Sequence, residues 1–157
     1  MSDVTKTFAL LAPVPLVHLQ DGELVCAAAG KVAFGSRAWE VFRDIDILRG
    51  SQSVDVYIYA SHEPGDGYPA ISWAGRYVGH VESVNGAHPD GMKYRPPSTA
   101  EHISDNLGHW AVFWELDKLY RLPESEHLLT HQMQGYEKKS KYKKGFVPEG
   151  PLIVEHP

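Results

Sequence analysis

The segment that most restricts the fold is SVDVYIYAS, residues 53–61, because its composition strongly favours a β-strand. It is rich in β-branched and aromatic residues, and apolar side chains occur on both of its alternating faces. A strand that is apolar on both faces belongs in a barrel wall or in the middle of a sheet. We therefore expect a fold in which this segment is covered on both sides.

Four further regions have strand patterns. Residues 7–19 must be extended, since Pro13 and Pro15 exclude a helix interior. AISWAG and RYVGHVESV (70–84) predict two strands, with a tight turn or bulge at Gly75 and Arg76. HWAVFWELDKLYRL (109–122) has alternating apolar residues, and GPLIVEHP (150–157) predicts a closing strand.

Helical patterns are few. Residues 37–48 place Trp39, Phe42 and Ile45 on one face, with Ser36 as the expected N-cap and Gly50 as the end. PESEHLLTHQM (123–133) predicts a short helix beginning near Glu124. ELVCAAAGKVAFG (23–35) is compatible with a strand or a short helix, and residues 85–109 are expected to be irregular.

Five or six short strands with few helices indicate an α+β, β-rich fold, and the expected architecture is a small, partly closed barrel with short helices at its edge. A length of 157 residues fits one domain, residues 1–157. Cys26 is the only cysteine, which excludes an intramolecular disulfide and favours a reducing, cytoplasmic location. No apolar run is long enough to span a bilayer.

Charge is unevenly distributed along the chain. The formal net charge is −5, which argues against indiscriminate binding to phosphates. Residues 138–144, KKSKYKK, nevertheless contain five lysines: Lys138, Lys139, Lys141, Lys143 and Lys144. Interleaved with Tyr136 and Tyr142, they could follow a phosphate backbone while the rings stack on bases. The alternative is a solvated loop.

Motifs of catalysis and metal binding are absent from the sequence. There is no nucleophile elbow and no phosphate-binding glycine loop, so no catalytic residue and no cofactor are predicted. His127 and His131 are four residues apart in a predicted helix, but no Glu follows the first. The remaining candidates, His80, His88, His102 and His109, are scattered, and no metal site is predicted.

Aromatic residues are the stronger signal. Flat rings can sandwich a planar base or enclose a methyl group, although any single aromatic residue more often simply fills a small core. Trp114, in the middle of a strand pattern, is expected in the core. Trp39 differs, because it begins a helix beside Ser36 and Arg37. The aromatic residues on or beside the predicted barrel are Trp39, Tyr57, Tyr59, Trp73, Trp110 and Trp114.

Three blocks of the sequence, in the same order, resemble EVE domains. AWEVFRDIDILRGSQSVDVYIYAS resembles the helix that begins with Trp and leads through Gly into a strand ending in Ser. YVGHVESVNGAHPDGMKY resembles the following strand with its Pro-Asp turn, and HWAVFWELDKLYRLP resembles the next strand. The blocks cover roughly residues 36–123. EVE domains belong to the PUA-like superfamily with YTH, ASCH and SRA-type domains, so the resemblance implies a small β-barrel with a pocket for a modified nucleobase.

The resemblance also implies site residues. Trp39 matches the helix-start Trp at the pocket rim, Arg43 matches the Arg of the same motif, and Ser61 matches the serine that ends the next strand. Asp44 stands where the family has Asn and can only accept hydrogen bonds while ionised. Position adds three further candidates: Tyr59, on the same strand face as Ser61, Trp73 as a second aromatic wall, and Trp110.

The leading hypothesis is a non-enzymatic module that binds a modified, flipped base of DNA or RNA, or a modified nucleoside. In it Trp39 and Trp73 form stacking walls and the five lysines contact phosphates. One alternative is an ASCH-like hydrolase or nuclease acting on modified nucleosides, with Lys31, Glu40 and Lys93 as candidate residues. The other is a regulatory domain that binds a small aromatic ligand.

Overall fold

The segment SVDVYIYAS forms β3 (Ser53–Ser61), a strand inside a mixed sheet, as its pattern predicts. The computed structural model describes residues 3–63, 65, 67–101 and 110–157. β3 pairs in parallel with β1 (Val4–Pro15) and antiparallel with β4 (Ala70–Glu82). It is therefore hydrogen-bonded on both edges.

The other elements complete a sheet with helices beside it. They are α1 (Leu16–Ala29), β2 (Val32–Ser36), α2 (Trp39–Arg49), β5 (Val112–Arg121), β6 (Leu128–Leu129) and β7 (Leu152–Glu155), with short 3₁₀ turns at Pro97–Glu101, Glu124–Glu126 and Thr130–Gln132. The strand order is β2-β5-β4-β3-β1-β7, and the two-residue β6 also pairs with β4.

The expected barrel is wrong, because this seven-stranded sheet is open. The strands at the ends of its order, β2 and β7, do not pair with each other. Helix α1 follows β1 directly and packs on β2 and β5. A Cβ atom at Gly22 of α1 would lie 3.2 Å from the side chains of both Phe34 and Leu119. The coarser prediction, a strand-rich α+β fold, is confirmed.

Both faces of the sheet are covered by apolar side chains. One cluster contains Leu10 and Ala12 of β1 together with Val56 and Ile58 of β3. A smaller cluster on the other face contains Ala9 and Leu11 of β1, with Tyr57 of β3 packed against it. This alternation explains why β1 and β3 have to be apolar at successive positions.

Helix α2 begins at Trp39, two residues after the predicted start, and ends at Gly50 as predicted; few other residues adopt the φ of 58° found there. Ser36 does not cap it. This residue lies in β2, and its Oγ accepts a hydrogen bond from the Ala38 amide at 3.0 Å, before the helix begins. Phe42 and Ile45 are the buried residues of α2, which confirms their helical spacing on its inner face.

Three other segments refine the predictions. Residues 23–35 contain both alternatives, since α1 ends at Ala29 and β2 begins at Val32. Residues 70–82 form the single strand β4, with register irregularities at Arg76 and Tyr77. The helix predicted near Glu124 is wrong. Its residues form two 3₁₀ turns around β6, because pairing with β4 extends the intervening backbone.

The irregular region is confirmed over residues 85–101, which hold only turns and one 3₁₀ segment, and residues 102–109 lie outside the described part. No helix among the described residues is long and apolar enough to cross a membrane.

Candidate ligand pocket

A cavity of about 560 Å³ lies where β1 and β2 approach each other without pairing. The end of β1 and the chain before β7 form one side, and the end of β2 with the two residues that precede α2 form another. Its lining residues include Ala12–Pro15, His18, Phe34–Ala38, Arg95, Thr99, Trp110, Trp114 and Glu149–Pro151. We call this cavity the Trp110 pocket.

The indole of Trp110 packs directly on the backbone of Gly35. A Cβ atom at position 35 would lie 2.6 Å from each of three atoms of that ring, Cγ, Cδ1 and Cδ2. Three equal distances of this kind mean that the ring presents its face, and not its edge, to the strand. Only glycine permits this approach. β2 therefore holds Trp110 as a flat wall of the pocket.

Stacked rings support the pocket from below. Trp114 is only 3% exposed, and its ring stacks on Phe42 of α2 with centroids 5.8 Å apart and planes at 18°. Phe34 contacts the same indole at a centroid distance of 5.2 Å. As predicted, Trp114 is a core residue, although it also lines the pocket. The floor of the pocket is therefore a packed aromatic cluster.

Cationic and polar side chains reach the same cavity. Arg37 is exposed at its mouth. Arg95 is 3% exposed, donates from Nη1 to the Ala33 carbonyl oxygen at 3.0 Å, and packs its guanidinium on the Phe113 ring. His18 is also buried, and its Nδ1 lies 2.8 Å from the Ser98 hydroxyl. The pocket thus combines flat apolar walls with fixed hydrogen-bonding groups.

A buried ion-pair cluster holds the segment that supplies Arg95. Glu115 of β5, with 8% side-chain exposure, lies 3.1 Å from Lys31 Nζ and 3.4 Å from His88 Nε2. The Lys31 ammonium also lies 4.5 Å from the Tyr94 ring centroid. The Tyr94 carbonyl in turn accepts a hydrogen bond from Ala33 of β2 at 2.8 Å. These contacts fix residues 88–95 to the β2–β5 pair.

The predicted residues of α2 do not line this pocket. Trp39 is 48% exposed, and the Arg43 guanidinium lies over its ring at 5.2 Å. Arg43 also pairs with Asp44 at 3.0 Å on the solvent side of the helix. The lining instead stops at Ala38, one residue before Trp39.

The predicted binding residues on strands β3 and β4, which are Tyr59, Ser61 and Trp73, do not line the Trp110 pocket either. Trp73 is 2% exposed in the larger core cluster, so its ring offers no face to a ligand from solvent. Tyr59 lines a different, polar cavity near Glu63 and Arg121. Ser61, at the end of β3, is half-buried and lines neither cavity. Of the predicted binding residues, only Trp110 lines this pocket.

The lysine residues lie at a second cavity of about 610 Å³. Its lining includes Lys138, Lys141, Lys143 and Lys144 but not Lys139, and we call it the lysine cleft. Tyr142 and Phe146 stack within it at a centroid distance of 4.2 Å with planes at 9°. Burial raises the pKa of Tyr142.

The three residues considered for a hydrolase or nuclease do not form a common site. Lys31 pairs with Glu115, Lys93 is exposed over the Tyr94 ring, and Glu40 is exposed on α2. Within the part of the chain that the structure describes, no group of three or more His, Cys, Asp or Glu side chains is placed to hold a metal ion. His102 and His109 lie outside the described residues.

Several lining residues were not predicted from the sequence, among them His18, Phe34, Gly35, Arg37 and Arg95. Gly35 carried a usable signal, because a glycine inside a strand pattern often marks the close approach of another group. No comparable signal exists for Arg95 or His18, since they reach the pocket from a loop and from α1.

Comparisons of the chain with protein-family models, with curated proteins and with solved structures gave no match.

Proposed function

We propose that this protein is an EVE-like binding module of the PUA-like kind, and that it accepts a modified, flipped nucleobase of a nucleic acid, or a modified nucleoside, in the Trp110 pocket. The observation that carries the proposal is the indole of Trp110 held face-on against Gly35 at the wall of a cavity of about 560 Å³. This volume lies within the range of small-molecule sites, about 300–1,000 Å³.

A planar, polar heterocycle fits this chemistry better than an aliphatic ligand does. The Trp110 ring supplies a stacking surface worth about 1–3 kcal/mol for a base. Such a gain is comparable with the few kcal/mol needed to take a base out of a stack. The guanidinium of Arg95 and the imidazole of His18 are positioned by their own hydrogen bonds, and both groups can form hydrogen bonds with the edge of a base.

The position of the pocket is compatible with the family resemblance. The resemblance implies a base site beside the Trp that starts α2, and the lining ends at the residue before Trp39. In this proposal Trp110 takes the stacking role, whereas Trp39 shapes the outer rim through its contact with Arg43.

Matched tryptophan variants test the proposal. Trp110→Ala should lower the affinity for the bound nucleoside at least tenfold, because the stacking wall is lost. Trp39→Ala, a change of the same size on α2, should alter affinity less than twofold. Tryptophan fluorescence titrations with a panel of methylated and unmodified nucleosides measure both. Equal effects of the two variants, or no binding to any nucleoside by the unaltered protein, would refute the proposal.

A further inference from the structure

The lysine segment, residues 138–144, is part of an ordered extension of the sheet edge. The Tyr136 amide donates to the Ile153 carbonyl oxygen at 3.0 Å, and the Glu155 amide donates to the Gln134 carbonyl oxygen at 2.8 Å, which places residues 134–136 beside β7. The chain then turns, and the Tyr142 amide donates to the Met133 carbonyl oxygen at 3.0 Å. The lysines therefore project from a backbone that is held in place, which disfavours the interpretation as a loose solvated loop.

None of the five lysines is paired with a carboxylate within 4 Å among the described residues. Removing their five charges from the net charge of −5 leaves −10 on the rest of the chain. The rest of the protein is strongly acidic and repels anions. The four lysines that line the lysine cleft therefore form a local site for an anion.

The lysine cleft and the Trp110 pocket are close together along the chain. Phe146 lines the cleft and Glu149 lines the pocket. Three residues of extended chain span at most about 11 Å. A stacked nucleic-acid strand carries one phosphate per about 3.4 Å of its axis, so about three phosphates cover that distance.

We propose that the lysine cleft binds the phosphate backbone of a single-stranded nucleic acid whose flipped base occupies the Trp110 pocket. This inference rests on the proposed function and adds a minimum length to the ligand. A nucleoside or a trinucleotide reaches the pocket alone, whereas a strand of about six nucleotides reaches both sites. The Tyr142–Phe146 stack in the cleft supplies an aromatic surface for a neighbouring base.

Two charge-matched double variants test this inference. Lys141→Gln with Lys143→Gln removes two cations that line the cleft, and Lys118→Gln with Lys139→Gln removes two exposed cations that do not. Each is titrated by fluorescence anisotropy with labelled single-stranded DNA and RNA of three and six nucleotides, and with a six-base-pair duplex, at several salt concentrations.

We expect the hexamer to bind the unaltered protein at least tenfold more tightly than the trimer at low salt. The cleft variant should lower the magnitude of the salt slope for the hexamer by about 1.4, because each single-strand phosphate contact contributes about 0.7. The control variant should leave that slope unchanged, and the duplex should bind no more tightly than the trimer.

Equal slopes for the two variants, or no binding of the hexamer by the unaltered protein, would overturn the inference. Aggregation of the cleft variant with an unchanged slope would also overturn it and would assign the lysines to protection of a sheet edge. Nucleoside titrations decide the pocket separately. Lysine-dependent binding of the hexamer without nucleoside binding would refute the proposed function and leave a phosphate site.

Discussion

The Trp110 indole covers the backbone of Gly35 so closely that a single methyl group at position 35 would come within 2.6 Å of three ring atoms. The contact joins a residue just outside β5 to the strand paired with β5, and it orients the flat wall of the pocket. Glycine is therefore required at position 35 for a packing reason, since its backbone does not adopt a positive φ.

Gly35→Ala should displace this wall. We expect the nucleoside affinity to fall at least tenfold and the free energy of unfolding to fall by about 1–3 kcal/mol, as in other overpacked sites. Gly150→Ala is the matched control, because Gly150 lines the same pocket with nothing within 4 Å of an added Cβ. Fluorescence titration and urea unfolding measure the two effects. Similar results for both alanine variants would contradict the argument.

The contact between α2 and β4 should depend on the hydroxyl of Tyr77. This hydroxyl donates to Asp46 at 2.8 Å, and burial, followed by the charge of Asp46, raises the pKa of Tyr77 well above its usual range. Tyr77→Phe should therefore lower the free energy of unfolding by about 1.5–3 kcal/mol at any ordinary pH, because the hydrogen bond is made to a charged carboxylate. Tyr120→Phe, at an exposed position, should change it by less than half as much. Urea denaturation of both variants provides the measurement.

Acid sensitivity should depend on Asp55. Burial alone would raise its pKa, but hydrogen bonds from His156 and Lys6 outweigh burial and hold the pKa below the ordinary value of 3.8. A lowered carboxyl pKa stabilises the fold above that ordinary value, and the stabilisation is lost as the pH falls through the folded-state pKa.

Asp55→Asn should consequently lower stability at pH 6, and this effect should disappear once the pH falls below the folded-state pKa of Asp55. The measurement is the free energy of unfolding against pH for the variant and the unaltered protein. Asp44→Asn, which alters an exposed ion pair on α2, is the control and should give a small difference that varies little with pH. A constant difference for Asp55→Asn across this range would disprove the linkage.

Ligand binding in the Trp110 pocket should also depend on the ion-pair cluster formed by Glu115, Lys31 and His88. Glu115→Gln removes the charge that neutralises Lys31, at a site where hydrogen bonds to charged groups contribute about 1.5–3 kcal/mol. We expect a lower melting temperature and weaker nucleoside binding, because residues 88–95 carry Arg95 into the pocket. Glu82→Gln, at an exposed position, should change neither. The Ala33 amide donates a hydrogen bond to the Tyr94 carbonyl oxygen. Its hydrogen exchange should become faster in Glu115→Gln but not in Glu82→Gln.

Local patterns predicted the strands and α2 well, because alternation and helical spacing directly reflect which side chains are buried. They failed for α1, where apolar residues occur all round the helix and Val17 and Leu24 remain exposed. They also failed near Glu124, where pairing of β6 with a distant part of β4 determines the backbone.

The candidate site was less predictable than the fold. Trp110 was named from its position, but its partner Gly35 lies 75 residues earlier, and no local pattern connects them. Trp73 was expected to be a wall because it follows a turn-rich loop, yet it is buried in the core. Whether the sheet closes was equally undetermined, since this depends on which strands, distant in sequence, pair with each other.

The pairing of β1 has a consequence for how the chain folds. One edge of β1 pairs with β3, which follows within about 50 residues of the chain. The other edge pairs with β7, where Leu11 lies opposite Leu152, 141 positions later. Contacts so distant in sequence form slowly, because much of the chain must be ordered first. During synthesis β1 thus remains half-paired until β7 has emerged, so arrival of β7 is expected to be the late, rate-limiting event in folding.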